Sequence, residues 1–165
     1  MFALVLIILA VGIIVPFSIG YILAVSSNAP VEFTKFTLIA NGTAFDEINE
    51  KDIGVSLSFT GTADGKLEDI VNVNILGGDI NVEGYESVSI ADGSGTLIKS
   101  GETVIELDLV EQYGGNNVTW MLSCETSEID EETLSVLLNA DNVSLPFINN
   151  PTLSGLSLTG TVTFE

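Results

Sequence analysis

The chain has 165 residues, with 23 Asp and Glu against four Lys, no Arg and no His, for a formal net charge of -19 at pH 7. That balance excludes a nucleic-acid partner, because almost nothing is available to neutralise phosphates, and it argues against a chain that lies flat on an anionic membrane. Without His or Arg there is no Ser-His-Asp hydrolase, no imidazole metal ligand and no bidentate anion clamp.

The first charged residue is Glu32, and the preceding MFALVLIILAVGIIVPFSIGYILAV is apolar throughout. This run predicts an α-helix over residues 1–25, roughly 36 Å long at 1.5 Å per residue and long enough to cross a ~30 Å hydrocarbon core. It has no basic n-region and exceeds the ~7–15 residues of a signal-peptide core, so retention is expected rather than cleavage. Gly12 and Gly20 permit close helix approach and Pro16 would kink the rod, which makes these three the candidate helix-packing positions. Ser26 to Pro30 reads as a linker, and residues 31–165 as one acidic domain.

Within that domain, VEFTKFTLIA (31–40) alternates with one phase shift and predicts a first strand. IGVSLSFT (53–60) is the cleanest strand, with Ile53, Val55, Leu57 and Phe59 on one face. Asp64-Gly65 predicts a turn, and IVNVNIL (70–76) another strand, broken at Gly77-Gly78. Residues 80–90 predict a strand bent at Gly84, and Ala91-Asp92-Gly93-Ser94-Gly95 a turn. ETVIELDLV (102–110) and VTWMLSC (118–124) alternate clearly, with Trp120 and Cys124 on the apolar face of the latter. Glu125 to Asp130 reads as an acidic break. Asp130 could then cap a short helix with Leu134, Leu137 and Leu138 on its apolar side, or the same residues could form a strand; the helix is slightly preferred. Pro146 and Pro151 bracket a loop, and LSLTGTVTFE (156–165) is a last strand.

Eight or nine short strands with Gly-containing turns predict an N-terminal helix followed by an antiparallel β-sandwich head of immunoglobulin-like type. A single cysteine, Cys124, rules out an intrachain disulfide and reads as a buried hydrophobe. Three sequons, at Asn41, Asn117 and Asn142, are candidate N-glycosylation sites and imply an external head. No catalytic constellation emerges and no cofactor is expected. Among ions, calcium suits Asp79, Asp92-Gly93-Ser94 or the acidic stretch 125–132, although the spacing defines no coordination set.

An uncharged apolar N-terminal helix followed by an all-β head resembles the layout of archaeal type IV pilin-like subunits. That resemblance implies a cell-surface filament with helices in its core, heads outside, and self-association as the main partnership. From Asp92 onward, SGTLIKSGETVIELDLV and VTWMLSCE are also similar in rhythm to the late-embryogenesis-abundant (water-stress) β-sandwich proteins, in which a membrane helix commonly precedes the sandwich. The alternative function is therefore an extracytoplasmic binding module, held to the membrane by residues 1–25 and docking an envelope protein. An anchored hydrolase ranks third.

Overall fold

The computed structural model describes residues 34–65, 70–110, 116–147 and 151–165. The predicted helix 1–25, with Gly12, Pro16 and Gly20, and the linker 26–30 lie outside the described residues. Among the described residues there is no helix long and apolar enough to cross a membrane.

Among the described residues eight strands follow one another: β1 (Thr34–Asp46), β2 (Lys51–Ala63), β3 (Ile70–Val82), β4 (Val88–Ile98), β5 (Gly101–Val110), β6 (Asn117–Glu128), β7 (Thr133–Ser144) and β8 (Thr152–Phe164). Each pairs antiparallel with the next, and β1 pairs with β8, from Phe36↔Phe164 to Asp46↔Leu153. The architecture is an up-and-down closed barrel, not the expected β-sandwich. Apolar alternation requires only that one face of each strand be buried, a condition that a sandwich and a barrel satisfy equally. The β1–β8 pairing decides between them. Followed round the wall, the registers leave β1 near Phe36 and return to it near Asp46. That stagger of roughly ten residues goes with strands tilted by about 40°.

The barrel interior is the hydrophobic core. Trp120, Phe36 and Phe59 are its largest fully buried side chains, packed among Leu38, Leu57, Ile75, Ile105, Leu107 and their neighbours. The Phe36 ring meets Phe59 edge-on at 6.2 Å and Phe164 at 5.9 Å. Burial of each such side chain contributes about 1.5–3 kcal/mol. Outward positions carry Ser56, Ser58, Asn72, Asn74, Glu102 and Glu106 instead. Apolar inside and polar outside is the reverse of a membrane-spanning barrel, whose lipid-facing wall is apolar.

Several predicted breaks are strand. Gly77 adopts φ +150° at a register shift between β2 and β3, so β3 changes phase at Gly77-Gly78 and continues to Val82. The predicted turn 91–95 lies inside β4, where a shift after Ile90 leaves Gly93 opposite the buried Leu107 and Gly95 opposite the buried Ile105. Gly84, expected to bend a strand, sits instead in the β3–β4 turn at φ +85°. The acidic residues 125–128 extend β6, and the preferred helix after Asp130 is β7, with Leu134, Val136 and Leu138 buried on one face. The helical reading required Leu137 on that face. It points the other way because period-two burial on a sheet outweighs the leucines' helix propensity.

Close approach of strands explains some glycines. A Cβ at Gly78 would lie 2.6 Å from Phe59 Cα and Cβ and press on the Ser58 carbonyl, whereas at Gly54 it would meet only Glu83 Oε2, at 3.5 Å. Gly78→Ala is therefore expected to cost about 1–3 kcal/mol and Gly54→Ala less than about 0.5 kcal/mol, read from denaturant midpoints. Equal losses would contradict the packing described.

Candidate functional site

Among the described residues the interior is given over to core, and the polar side chains lie at the barrel's ends and on its outer wall. One end carries the β1–β2 and β3–β4 turns and residues 145–147. There the alternation of β1 (Ala40, Ala44, Asp46) turns a carboxylate inward, and Asp46 is fully buried. Its Oδ1 accepts the backbone N–H groups of Ile48 (2.9 Å) and Asn49 (3.2 Å). Its Oδ2 accepts Asn49 Nδ2 and the Tyr85 hydroxyl, both at 2.7 Å. Burial pushes the Asp46 carboxyl up, but these four hydrogen bonds outweigh it and hold the pKa at about 2. The Tyr85 phenol is displaced upward, by burial first, then by its hydrogen bond to Asp46 and by the Asp46 charge. Tyr85 stacks on Phe147 at 5.9 Å, and the Trp120 indole donates to the Ser144 carbonyl at 2.8 Å. The cluster is a satisfied polar and aromatic cap. Sequence reading missed Asp46 because it ended the first strand at Ala40; continuing the alternation to residue 46 would have found it.

The outer wall is acidic. Asp92 stands directly opposite Asp108, and Glu102 opposite Glu125, so like charges face each other across β4–β5 and β5–β6. Such pairs weaken a sheet. Asp108 is partly offset by the Thr119 hydroxyl, which donates to it at 2.6 Å, and Glu128 by Lys99 Nζ at 3.1 Å. The calcium candidates do not converge. Asp79 lies on β3 opposite Ser58 and Ser89, Asp92 lies on β4, and Asp130 Oδ1 accepts the Glu132 N–H in the β6–β7 turn. Among the described residues no group of three acidic, His or Cys side chains could hold a metal ion. Cys124 faces the core, where burial pushes its thiol up to about 11 and keeps it unreactive.

All three sequon asparagines are exposed on strands. Asn41 lies within β1, paired on both sides, opposite Ser56 of β2 and Thr159 of β8. Asn117 opens β6 and Asn142 lies on β7. These last two flank an irregularity. The β6–β7 ladder runs only from Glu128↔Leu134 to Ser123↔Asn139. Beyond it β7 and β8 change phase together, from buried Leu138 to buried Val143 and from buried Leu156 to buried Leu153, with Gly155 at φ +58°. Over this length the β6–β7 ladder is interrupted, although the Trp120 indole still reaches the Ser144 carbonyl. A shallow groove of about 430 Å³ lies at the fork, lined by Met121, Ser123, Asn139, Asp141, Gly155 and Ser157 among others.

Comparison with protein-family models, with curated proteins and with solved structures finds no match to this chain.

The Asp46 cap has a definite acid signature. A folded pKa held below the unfolded value of ~3.9 contributes stability that is complete above pH ~4 and lost as pH falls toward 2. Asp46→Ala is expected to lower stability near neutral pH by about 1–3 kcal/mol, through loss of the carboxylate's four hydrogen bonds. The gap between wild type and variant should narrow between pH ~4 and ~2 in thermal melts. A gap that stays constant over that window would contradict the role assigned to the carboxylate.

Proposed function

We propose that this chain is a non-enzymatic structural protein of the cell surface. On this reading, residues 1–25 hold it among sister segments in an assembly, and the acidic barrel is its outward head. The observation that carries the reading is the division of the barrel into a filled apolar interior and a polar, acidic wall on which all three sequon asparagines are exposed. A head of this kind binds nothing inside itself and meets its surroundings through its wall and ends. The negative wall keeps crowded heads apart and solvated, in keeping with an ion-rich exterior. The apolar stretch supplies the cohesion that the wall lacks, because sister segments can bury one another's surface while the heads remain in water. The resemblance of the sequence, an apolar N-terminal stretch ahead of an all-β domain, to archaeal pilin-like subunits is in keeping with this reading.

The test is mechanical shearing of the source cells, followed by negative-stain microscopy of the released material and mass spectrometry for this chain. Polymers containing the chain are expected in the sheared fraction. Recovery of the chain only as a detergent-extracted monomer from the membrane pellet would contradict assembly and leave residues 1–25 as a simple anchor.

A further inference from the structure

The two sequons beside the fork stand in a particular relation to it. Continuing the β6–β7 register past Ser123↔Asn139 would set Val118 opposite Ser144, Thr119 opposite Val143 and Trp120 opposite Asn142, so that the two sequons overlap. The ladder is missing over this same length. Residues 117–122 of β6 keep their pairing with β5, and residues 140–144 of β7 keep theirs with β8. Toward each other, these strands have no cross-strand register. A closed barrel normally abolishes strand edges; among the described residues this seam leaves two short stretches without ladder partners, bridged at one point by the Trp120 indole, which donates to the Ser144 carbonyl. An exposed edge is a template for another chain unless something covers it. Exposed Met121, at 56 %, lies on the β6 lip of this stretch. Val118, Trp120 and Leu122 point inward along β6, which leaves Asn117, Thr119 and Met121 on the outer wall. Asn142 is exposed on the other lip.

We infer that N-linked glycans on Asn117 and Asn142 cover the open β6–β7 seam and keep it from pairing with a second chain. This rests on the surface reading above, since it requires export past a glycosyltransferase. The donor class is an oligosaccharide linked through phosphate to a lipid. In the transfer, the asparagine side-chain nitrogen bonds the anomeric carbon and gives up a proton to the transferase. The sugar–phosphate C–O bond breaks, and the lipid-linked phosphate leaves with the electron pair. The hydroxyl two residues on, Thr119 or Ser144, completes the acceptor. Sugars are bulky and hydrated, so two of them, one on each lip, block an approaching strand without contributing a strand of their own. Asn41 supplies the internal comparison, because its strand is paired on both sides and has no edge to protect.

The test uses the full chain purified from its source cells. Peptide mass spectrometry reads occupancy at Asn41, Asn117 and Asn142. Amide exchange over 117–122 and 140–144, together with sedimentation at high salt, is then compared before and after enzymatic removal of glycans from the folded protein. Occupancy at Asn117 and Asn142 is expected, with exchange in both segments rising several-fold and self-association appearing on removal. Asn117→Gln with Asn142→Gln should reproduce the effect, and Asn41→Gln should not. The inference is overturned if Asn117 and Asn142 are unmodified, or if removal changes neither exchange nor sedimentation. It is equally overturned if the glycosylated protein already carries a partner strand that protects 117–122. Labelling of intact cells with a membrane-impermeant amine reagent separates the causes: an unlabelled head means that the surface reading itself has failed, whereas a labelled head with bare seam asparagines removes only the glycan shield.

Discussion

The pairing of β1 with β8 is the constraint on which the rest of this structure depends. It joins the first and last strands of the described domain, about 120 residues apart, and turns a meander with two open edges into a ring. Once the ring closes, every inward side chain shares one interior. Phe36 on β1 can then meet both Phe59 on β2 and Phe164 on β8, a contact that an open sheet would split between its two ends. The stagger of roughly ten residues fixes the tilt of the strands and hence the width of the interior. That interior is filled by Trp120, the phenylalanines and a set of leucines and isoleucines.

Closure has consequences at the ends and along the wall. At one end a fully buried carboxylate, Asp46, is made tolerable by four donors, and its partner Tyr85 passes the order on to Phe147 by stacking. Elsewhere the ring absorbs irregularities through glycine and paired phase shifts. Gly77 lets β3 change face without ending. The tandem shift in β7 and β8 is accommodated at Gly155, at the expense of part of the β6–β7 ladder. The open seam is thus the local cost of keeping Val143 and Leu153 in the core while the β7–β8 register stays unbroken. Closure uses up the inside, and the proposed function accordingly falls to the wall.

Much of the domain was legible in its sequence. Period-two alternation located IGVSLSFT, ETVIELDLV and VTWMLSC as strands and buried Trp120 and Cys124. The misreadings share a physical origin. Gly77-Gly78 and Asp92-Gly93-Ser94-Gly95 are residues that terminate strands when nothing else holds them, but in this barrel neighbouring strands on both sides carry them through. The β7 leucines fit a helix by spacing until the inward partners on β6 and β8 select period two. Asp46 lies in phase with the β1 alternation, beyond the Ala40 at which that strand was expected to end, but the donors that make it tolerable come from a turn and from Tyr85, 39 residues away, which no local pattern gives. Sandwich and barrel could not be separated because alternation is local, whereas the β1–β8 register links opposite ends of the domain.

The most direct measurement is therefore of that register. In solution, nuclear Overhauser contacts between backbone protons of Thr37–Asn41 and Thr159–Thr163 report the β1–β8 ladder pair by pair. A closed ring predicts Leu38 opposite Val162 and Ile39 opposite Thr161, alongside the β1–β2 contacts Leu38–Phe59 and Ile39–Ser58. If Thr159–Thr163 touches β7 alone and β1 touches β2 alone, the sheet is open. The single filled interior, and the assignment of function to the wall, would then fall with it.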